Sequence, residues 1–123
     1  MSLRVLAPAL VAAFVVSGTA HADGDAAKGK TLFSKCAICH SVKEGENKVG
    51  PSLFGIVGRP SATVAGFNYS EAMKKYNVTW DPATLDAYLV NPRQAVPGTK
   101  MIFVGLKEPT DRADLIAYLA TLK

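Results

Sequence analysis

The sequence predicts an all-α protein in which a few short helices are joined by long irregular loops, and three observations lead there. Helix starts are written at Asp81-Pro82 and at Thr110-Asp111, each an N-capping side chain ahead of a favourable first turn. The connecting stretches carry Gly55, Gly58, Pro60 and Gly66, then Pro97, Gly98 and Gly105, too many breakers for a long helix and too irregular a pattern for a sheet. Apolar stripes stand near both ends, Leu32-Phe33 at one and Leu115, Ile116, Leu119 and Leu122 at the other, so that pairing them closes the ends of the domain together.

The first 22 residues read differently. Arg4, the apolar run Val5 to Val16 and the small-residue site Ala20-His21-Ala22 form the three-part pattern of a secretory signal, with cleavage expected after Ala22. A membrane anchor is the rival, but a run of about twelve residues containing Pro8 falls short of the roughly twenty that a bilayer requires. Residues 23–123 then form one domain, with no internal repeat, low-complexity tract or linker.

Within that domain the first helix is expected from Asp25 to Lys35, with the Asp25 carboxylate in its first turn, where it meets the positive end of the helix dipole. Gly29 is costly in an isolated helix and is best tolerated where another helix crosses closely. Ser41 to Val49 reads as a loop, Gly50-Pro51 as a turn, and Ser52 to Phe67 as a loop wrapped around something large. A short helix from Ser70 to Lys75 takes Ser70 as its cap. The helix opening at Asp81-Pro82 carries Leu85, Tyr88 and Leu89 on one face. It ends at Asn91-Pro92, because the residue before a proline is pushed out of the helical region. Arg93 to Lys107 is expected to be loop throughout. The last helix begins with Thr110 as N-cap and Asp111 in its first turn, with Tyr118 alongside its apolar stripe.

The chemistry centres on Cys36-Ala37-Ile38-Cys39-His40, which holds both cysteines of the chain. Two thiols at this spacing can each add across one vinyl group of a porphyrin, and the adjacent histidine then lies under the iron. The pattern is that of covalent haem attachment. A thioredoxin-like redox pair requires a β-α-β setting, and nothing in the sequence resembles one. A zinc site needs further Cys or His ligands, and only His21 remains, in the segment expected to be removed. A disulfide between residues three apart closes too small a loop to stabilise much. With the signal gone, His40 is the only imidazole and Met73 and Met101 are the only thioethers. Met101 is the better second ligand, since it follows Pro97-Gly98 in a loop able to present a side chain across a cavity. Met73 falls in a short helix and reads as core packing.

The formal charge of +4 drops by one when Arg4 leaves, and no basic run is present. Nucleic-acid binding is therefore not expected, whereas an uneven basic face for protein docking remains open.

The motif does not stand alone. Together with Gly50-Pro51-Ser52-Leu53, Trp80, Tyr88-Leu89, Asn91-Pro92, Pro97 to Phe103 and Asp114 to Leu119, it makes the chain resemble class I cytochrome c over essentially all of residues 23–123. The closer resemblance is to the soluble bacterial type that is similar to mitochondrial cytochrome c. It implies the small cytochrome c fold, with N- and C-terminal helices crossing and loops wrapped around one haem c held covalently through Cys36 and Cys39. By the same resemblance His40 and Met101 are the axial ligands, and the Pro51 carbonyl accepts the proton on the other His40 ring nitrogen. Arg59, Tyr69 and Trp80 are similarly implied as donors to a buried propionate, and Tyr88 and Thr99 as the hydroxyls beside the Met101 sulfur and a propionate. Without the resemblance, Trp80 reads as core, Arg59 as a solvated charge and Tyr69 as a surface aromatic.

Two places depart from the family's pattern. Met73 stands where many members place an asparagine that helps order buried water, which implies a drier pocket. Gln94 and Ala95 stand where relatives often have lysine and an aromatic, which leaves Lys100 as the expected lysine to replace Met101 in alkali. The function that the resemblance implies is not enzymatic. It is a periplasmic one-electron carrier, monomeric and without a membrane span after signal cleavage. Its partners would be a quinol-cytochrome c reductase or dehydrogenase on one side and a terminal oxidase or photosynthetic reaction centre on the other. Lys30, Lys35, Lys48, Arg93, Lys100 and Lys107 are expected to ring the haem edge beside Phe103 and to steer acidic partners onto it. Two other functions compete: a haem enzyme or gas sensor whose iron Met101 leaves open, and a haem subunit of a larger dehydrogenase.

Overall fold

The computed structural model describes residues 11–13 and 24–123, so the expected signal lies outside the described residues except at 11–13. Among the described residues the chain forms α1 (Ala26–Leu32), which continues into a 3₁₀ turn (Phe33–Lys35), then α2 (Glu71–Tyr76), α3 (Pro82–Val90), α4 (Pro92–Ala95) and α5 (Pro109–Leu119). The extended pairing among these residues amounts to one isolated bridge between Pro60 and Thr79, so the all-α expectation stands.

The ends of the domain meet as α1 crosses α5 at Gly29. A Cβ there would lie 1.9 Å from the Asp114 carbonyl oxygen, so the crossing demands a residue without a side chain. Around this point the Phe33 and Tyr118 rings pack 5.4 Å apart, and the Asp25 N–H donates to Asp114 Oδ1 at 2.7 Å. Leu115 and Leu119 of α5 face inward, 1 % and 4 % exposed, into the centre of the molecule. Asp25 does more than sit near the helix dipole. It is the N-cap, its carboxylate accepting from the N–H groups of Ala27 and Lys28 at 2.9 and 3.2 Å.

Ser70 caps α2 by accepting from the Met73 N–H at 3.0 Å, and Asp81 caps α3 by accepting from the Thr84 N–H at 2.7 Å. Two boundaries differ from expectation. The stretch after Asn91 is not loop throughout, because α4 occupies Pro92–Ala95, with the Asn91 side chain accepting from the Gln94 N–H. Asn91-Pro92 ends one helix and starts the next, with the same cap-then-proline chemistry as Asp81-Pro82. The last helix starts at Pro109 and not after Thr110. Glu108 takes the cap position without a side-chain bond, and the preset φ of Pro109 starts the first turn.

The long segment between the 3₁₀ turn and α2 is stitched to the helical frame by its backbone. Leu53 N–H donates to Ser41, Gly55 N–H to Leu122 and Gly58 N–H to Trp80, while Trp80 N–H returns to Arg59. The segment therefore wraps the interior as a fixed wall. What it encloses is a cavity.

Candidate haem site

The cavity measures about 570 Å³, within the range of small-molecule and cofactor sites. Cys36, Cys39, His40, Pro51, Arg59, Tyr69, Trp80, Tyr88, Thr99 and Met101 all line it. Every residue that the sequence reading assigned to the site thus lies on one wall or another of the same space. Leu85, Leu89, Leu115 and Leu119 complete an apolar interior.

The attachment motif continues the 3₁₀ turn. Ala37 N–H donates to Phe33 and His40 N–H to Cys36, both at 2.9 Å, so residues 36, 39 and 40 sit within one helical turn. Neither cysteine is in a disulfide. Burial pushes the Cys36 thiol up to about 11, opposed by Lys35, so it is an uncharged thiol at neutral pH and lacks the lowered pKa of a redox-active pair.

His40 Nδ1 lies 2.7 Å from the Pro51 carbonyl oxygen. A carbonyl only accepts, so the proton is on Nδ1 and the Nε2 lone pair is left for a metal. Burial holds the imidazole below its ordinary range, the Pro51 bond opposes that, and the positive charges of Arg59 and Lys48 add to the lowering. The neutral, ligating form is the favoured one. Gly50, which the sequence marks only as part of a turn, also shapes this site. A Cβ there would come within 2.4 Å of His40 Cε1, so only glycine lets the backbone pass so close to the ring.

Across the chain, Met101 is held by its neighbours. Tyr88 donates its hydroxyl to Met101 Sδ at 3.1 Å, and the Met101 N–H donates to Thr99 Oγ1 at 3.3 Å. Burial lifts the Tyr88 phenol to about 12, the Thr99 hydroxyl working against the shift, so it remains a donor throughout the physiological range. Arg59 is fixed by donating to the carbonyls of Phe54 and Ser52 at 3.0 and 3.1 Å, and burial moves its guanidinium below the usual value. The Tyr69 oxygen accepts from the Val64 N–H, which leaves its own proton free to donate. Trp80 packs 4.9 Å from Tyr88.

Met73 is part of the cavity wall as well as of the surrounding packing. Of the six basic residues expected at the rim, Lys35 and Lys100 line the cavity, as does Phe103. Lys48 reaches the Ala37 carbonyl at 2.7 Å, beside the attachment motif, and Lys107 binds the Val90 and Val104 carbonyls. Lys30 and Arg93 are exposed outside the lining. Val49 and Ile102, which the sequence reading did not single out, line the cavity while 79 % and 84 % exposed, and so mark where it opens to solvent.

Two thiols one helical turn apart, an imidazole with its tautomer fixed, a thioether and an apolar hollow suit a porphyrin joined through thioethers. The fold and the site define a small all-α protein built around covalently attached haem. Known proteins agree. The cytochrome c family model matches residues 26–123. The chain is 55% identical over 111 residues to cytochrome c2 of Rhodomicrobium vannielii, covering 89% of each. It is 53% identical over 111 residues to the cytochrome c-type protein cyt cy of Rhodobacter capsulatus, covering 89% of this chain and 55% of that one. The solved structure of cytochrome cH from Methylobacterium extorquens is similar at a TM-score of 0.75 and 44% identity, over 80% of this chain and 99% of that one. The chain belongs to the cytochrome c family. It binds haem c covalently through Cys36 and Cys39, and it is an electron carrier, not an enzyme.

Proposed function

We propose that the chain is a periplasmic one-electron carrier whose haem iron is held by His40 and Met101. The observation that carries the ligation is that both side chains line the cavity that holds the two cysteines. Bound haem supplies an iron that cycles between ferric and ferrous. His40 offers Nε2 because Pro51 occupies Nδ1, and Met101 offers sulfur because Tyr88 and Thr99 fix its position. A neutral imidazole and a soft thioether suit either oxidation state, so neither residue must leave during turnover. The thioether favours the reduced state and raises the potential. Arg59, Tyr69 and Trp80 line the same cavity and would supply donors to a buried propionate, with the Thr99 hydroxyl as a further donor near Met101.

Residues 1–22 act as the cleaved export signal and residues 23–123 as the haem domain. Among the described residues no helix is long and apolar enough to cross a membrane. The partners are a quinol-cytochrome c reductase or dehydrogenase as donor and a terminal oxidase or photosynthetic reaction centre as acceptor. They meet the face around Lys35, Lys100 and Phe103, with Lys30, Lys48, Arg93 and Lys107 around it. The ligation is tested by near-infrared absorption of the oxidised holoprotein. A thioether-to-ferric charge-transfer band that is abolished by Met101→Ala, together with a ferrous form resistant to carbon monoxide, is expected. Carbon monoxide binding by the wild type would sink the reading. Amino-terminal sequencing of the exported protein should begin at Asp23.

A further inference from the structure

Arg112 is a charged side chain only 8 % exposed, it is not among the residues that line the cavity, and the electron-carrier chemistry makes no use of it. Burying a guanidinium costs several kcal/mol unless its donors are met by acceptors in good geometry. Here Nε and one terminal nitrogen meet three different acceptors. From α5, Arg112 Nε donates to Asp86 Oδ1 on α3 at 2.8 Å, and one terminal nitrogen donates to the Leu106 and Lys107 carbonyls at 2.9 and 3.0 Å. The two carbonyls close the loop that carries Met101.

That loop is thinly held. Thr99 N–H bonds to Val96 at its start, and Leu106 N–H bonds to Leu89 at its end. Among the described residues, no backbone N–H from 100 to 105 donates to a backbone carbonyl. The far end comes so close to α3 that a Cβ on Gly105 would sit 2.1 Å from the Val90 carbonyl oxygen. Such a segment opens locally at far lower cost than the whole fold, and besides side-chain bonds such as those of Tyr88 to Met101 and of Lys100 to Asn68, its end anchors are what resist the opening. Lys107 also ties this end to α3, its ammonium donating to the Val90 and Val104 carbonyls, but Arg112 is the side chain that joins it to α3 and α5 at once, through a rigid fork that lysine cannot reproduce.

We propose that Arg112, backed by Asp86, is a positioning residue for the iron–sulfur bond: it holds the return end of the Met101 loop and thereby keeps exogenous ligands off the iron. The proposal rests on Met101 ligation as set out above. In the ferric holoprotein an added ligand such as imidazole gains access only when Met101 swings away, so its apparent affinity reports the open fraction.

The test compares imidazole affinity and global stability in denaturant for the wild type, Arg112→Met, Asp86→Asn, Phe33→Leu and Met101→Ala holoproteins. Arg112→Met removes all three contacts and is expected to raise imidazole affinity by at least about tenfold, the effect of losing a single charge-assisted bond. Asp86→Asn, which keeps Arg112 and is the gentler change, should raise it severalfold. Phe33→Leu, which weakens the α1–α5 crossing, should lower global stability while leaving imidazole affinity within about twofold of wild type. Affinity unchanged in both Arg112→Met and Asp86→Asn overturns the proposal. So does a rise in Phe33→Leu as large as theirs, because it would tie access to global stability alone. A wild type that binds imidazole as tightly as Met101→Ala would instead overturn the ligation reading, and this proposal with it.

Discussion

The hydroxyl of Tyr88 donates to the sulfur of Met101 across 3.1 Å, from a helix to a loop thirteen residues further along. A donor on a thioether withdraws electron density from the lone pairs that reach the iron. The ferric state, which needs that density more, is penalised, and the potential rises. Tyr88→Phe should therefore lower the midpoint potential. A net hydrogen bond of about 0.5–1 kcal/mol corresponds to roughly 20–40 mV for one electron. Redox titration of the two holoproteins measures it, and an unchanged or raised potential would show that the contact does not tune the iron.

Much of this site was legible because its parts are rare residues in fixed patterns. Cys36, Cys39 and His40 sit within five positions, and with residues 1–22 set aside only two methionines compete for the remaining ligand place. The caps at Ser70 and Asp81 were legible for the same reason, since a short polar side chain before a helix has one local task. What stayed hidden depends on contacts between distant segments. Gly50 reads as a turn, and nothing local says that the His40 ring lies against it. Nothing local marks Arg112 as buried, because its acceptors lie on α3 and at the end of a loop. Asn91-Pro92 was read as a stop only, although the same two residues start α4.

Gly29→Ala tests the crossing. In an isolated helix the change would add about 1 kcal/mol of stability. Here the new Cβ would stand 1.9 Å from a backbone oxygen of α5, a distance that no rotamer change relieves, so the helices must part. Overpacking typically costs about 1–3 kcal/mol and more where backbone has to move, so the clash outweighs the propensity gain. The denaturant midpoint should fall with little change in slope. A stabilised variant would mean that the crossing is looser than drawn.

Asp81 makes a pH prediction. Its carboxylate is held below the ordinary value, first by the Thr84 backbone N–H and then by the Thr84 side chain. A carboxylate with a lowered folded-state pKa contributes stability above its unfolded value, and that contribution is lost as pH falls through the folded value. The unfolding midpoint of Asp81→Ala should therefore lie below wild type at pH 7, and the gap should narrow below pH 3.8. Asp81→Asn caps the helix without a charge, so its advantage over alanine should persist at low pH. A wild-type gap that stays constant down to pH 2 would remove the carboxylate from the stability of α3.

Docking makes the last prediction, and charge position separates it from charge count. Lys35 lines the cavity that opens beside Val49 and Ile102, whereas Lys75 lies on α2 and does not line it. Lys35→Gln and Lys75→Gln change the net charge equally. If partners approach the cavity opening, only the first removes a charge that faces them. An exposed pair contributes about 0.2–1 kcal/mol, or roughly 1.5- to 5-fold in the bimolecular rate. Stopped-flow reduction of an acidic redox partner at low ionic strength should show that loss for Lys35→Gln and almost none for Lys75→Gln. Raising the salt shortens the screening length from about 10 Å at 0.1 M to about 3 Å at 1 M, so the difference should close as all three proteins slow together. Equal losses in the two variants would mean that partners sense overall charge and have no preferred face. A wild-type rate that ignores salt would remove electrostatic steering, leaving the apolar rim of Val49 and Ile102 to account for recognition.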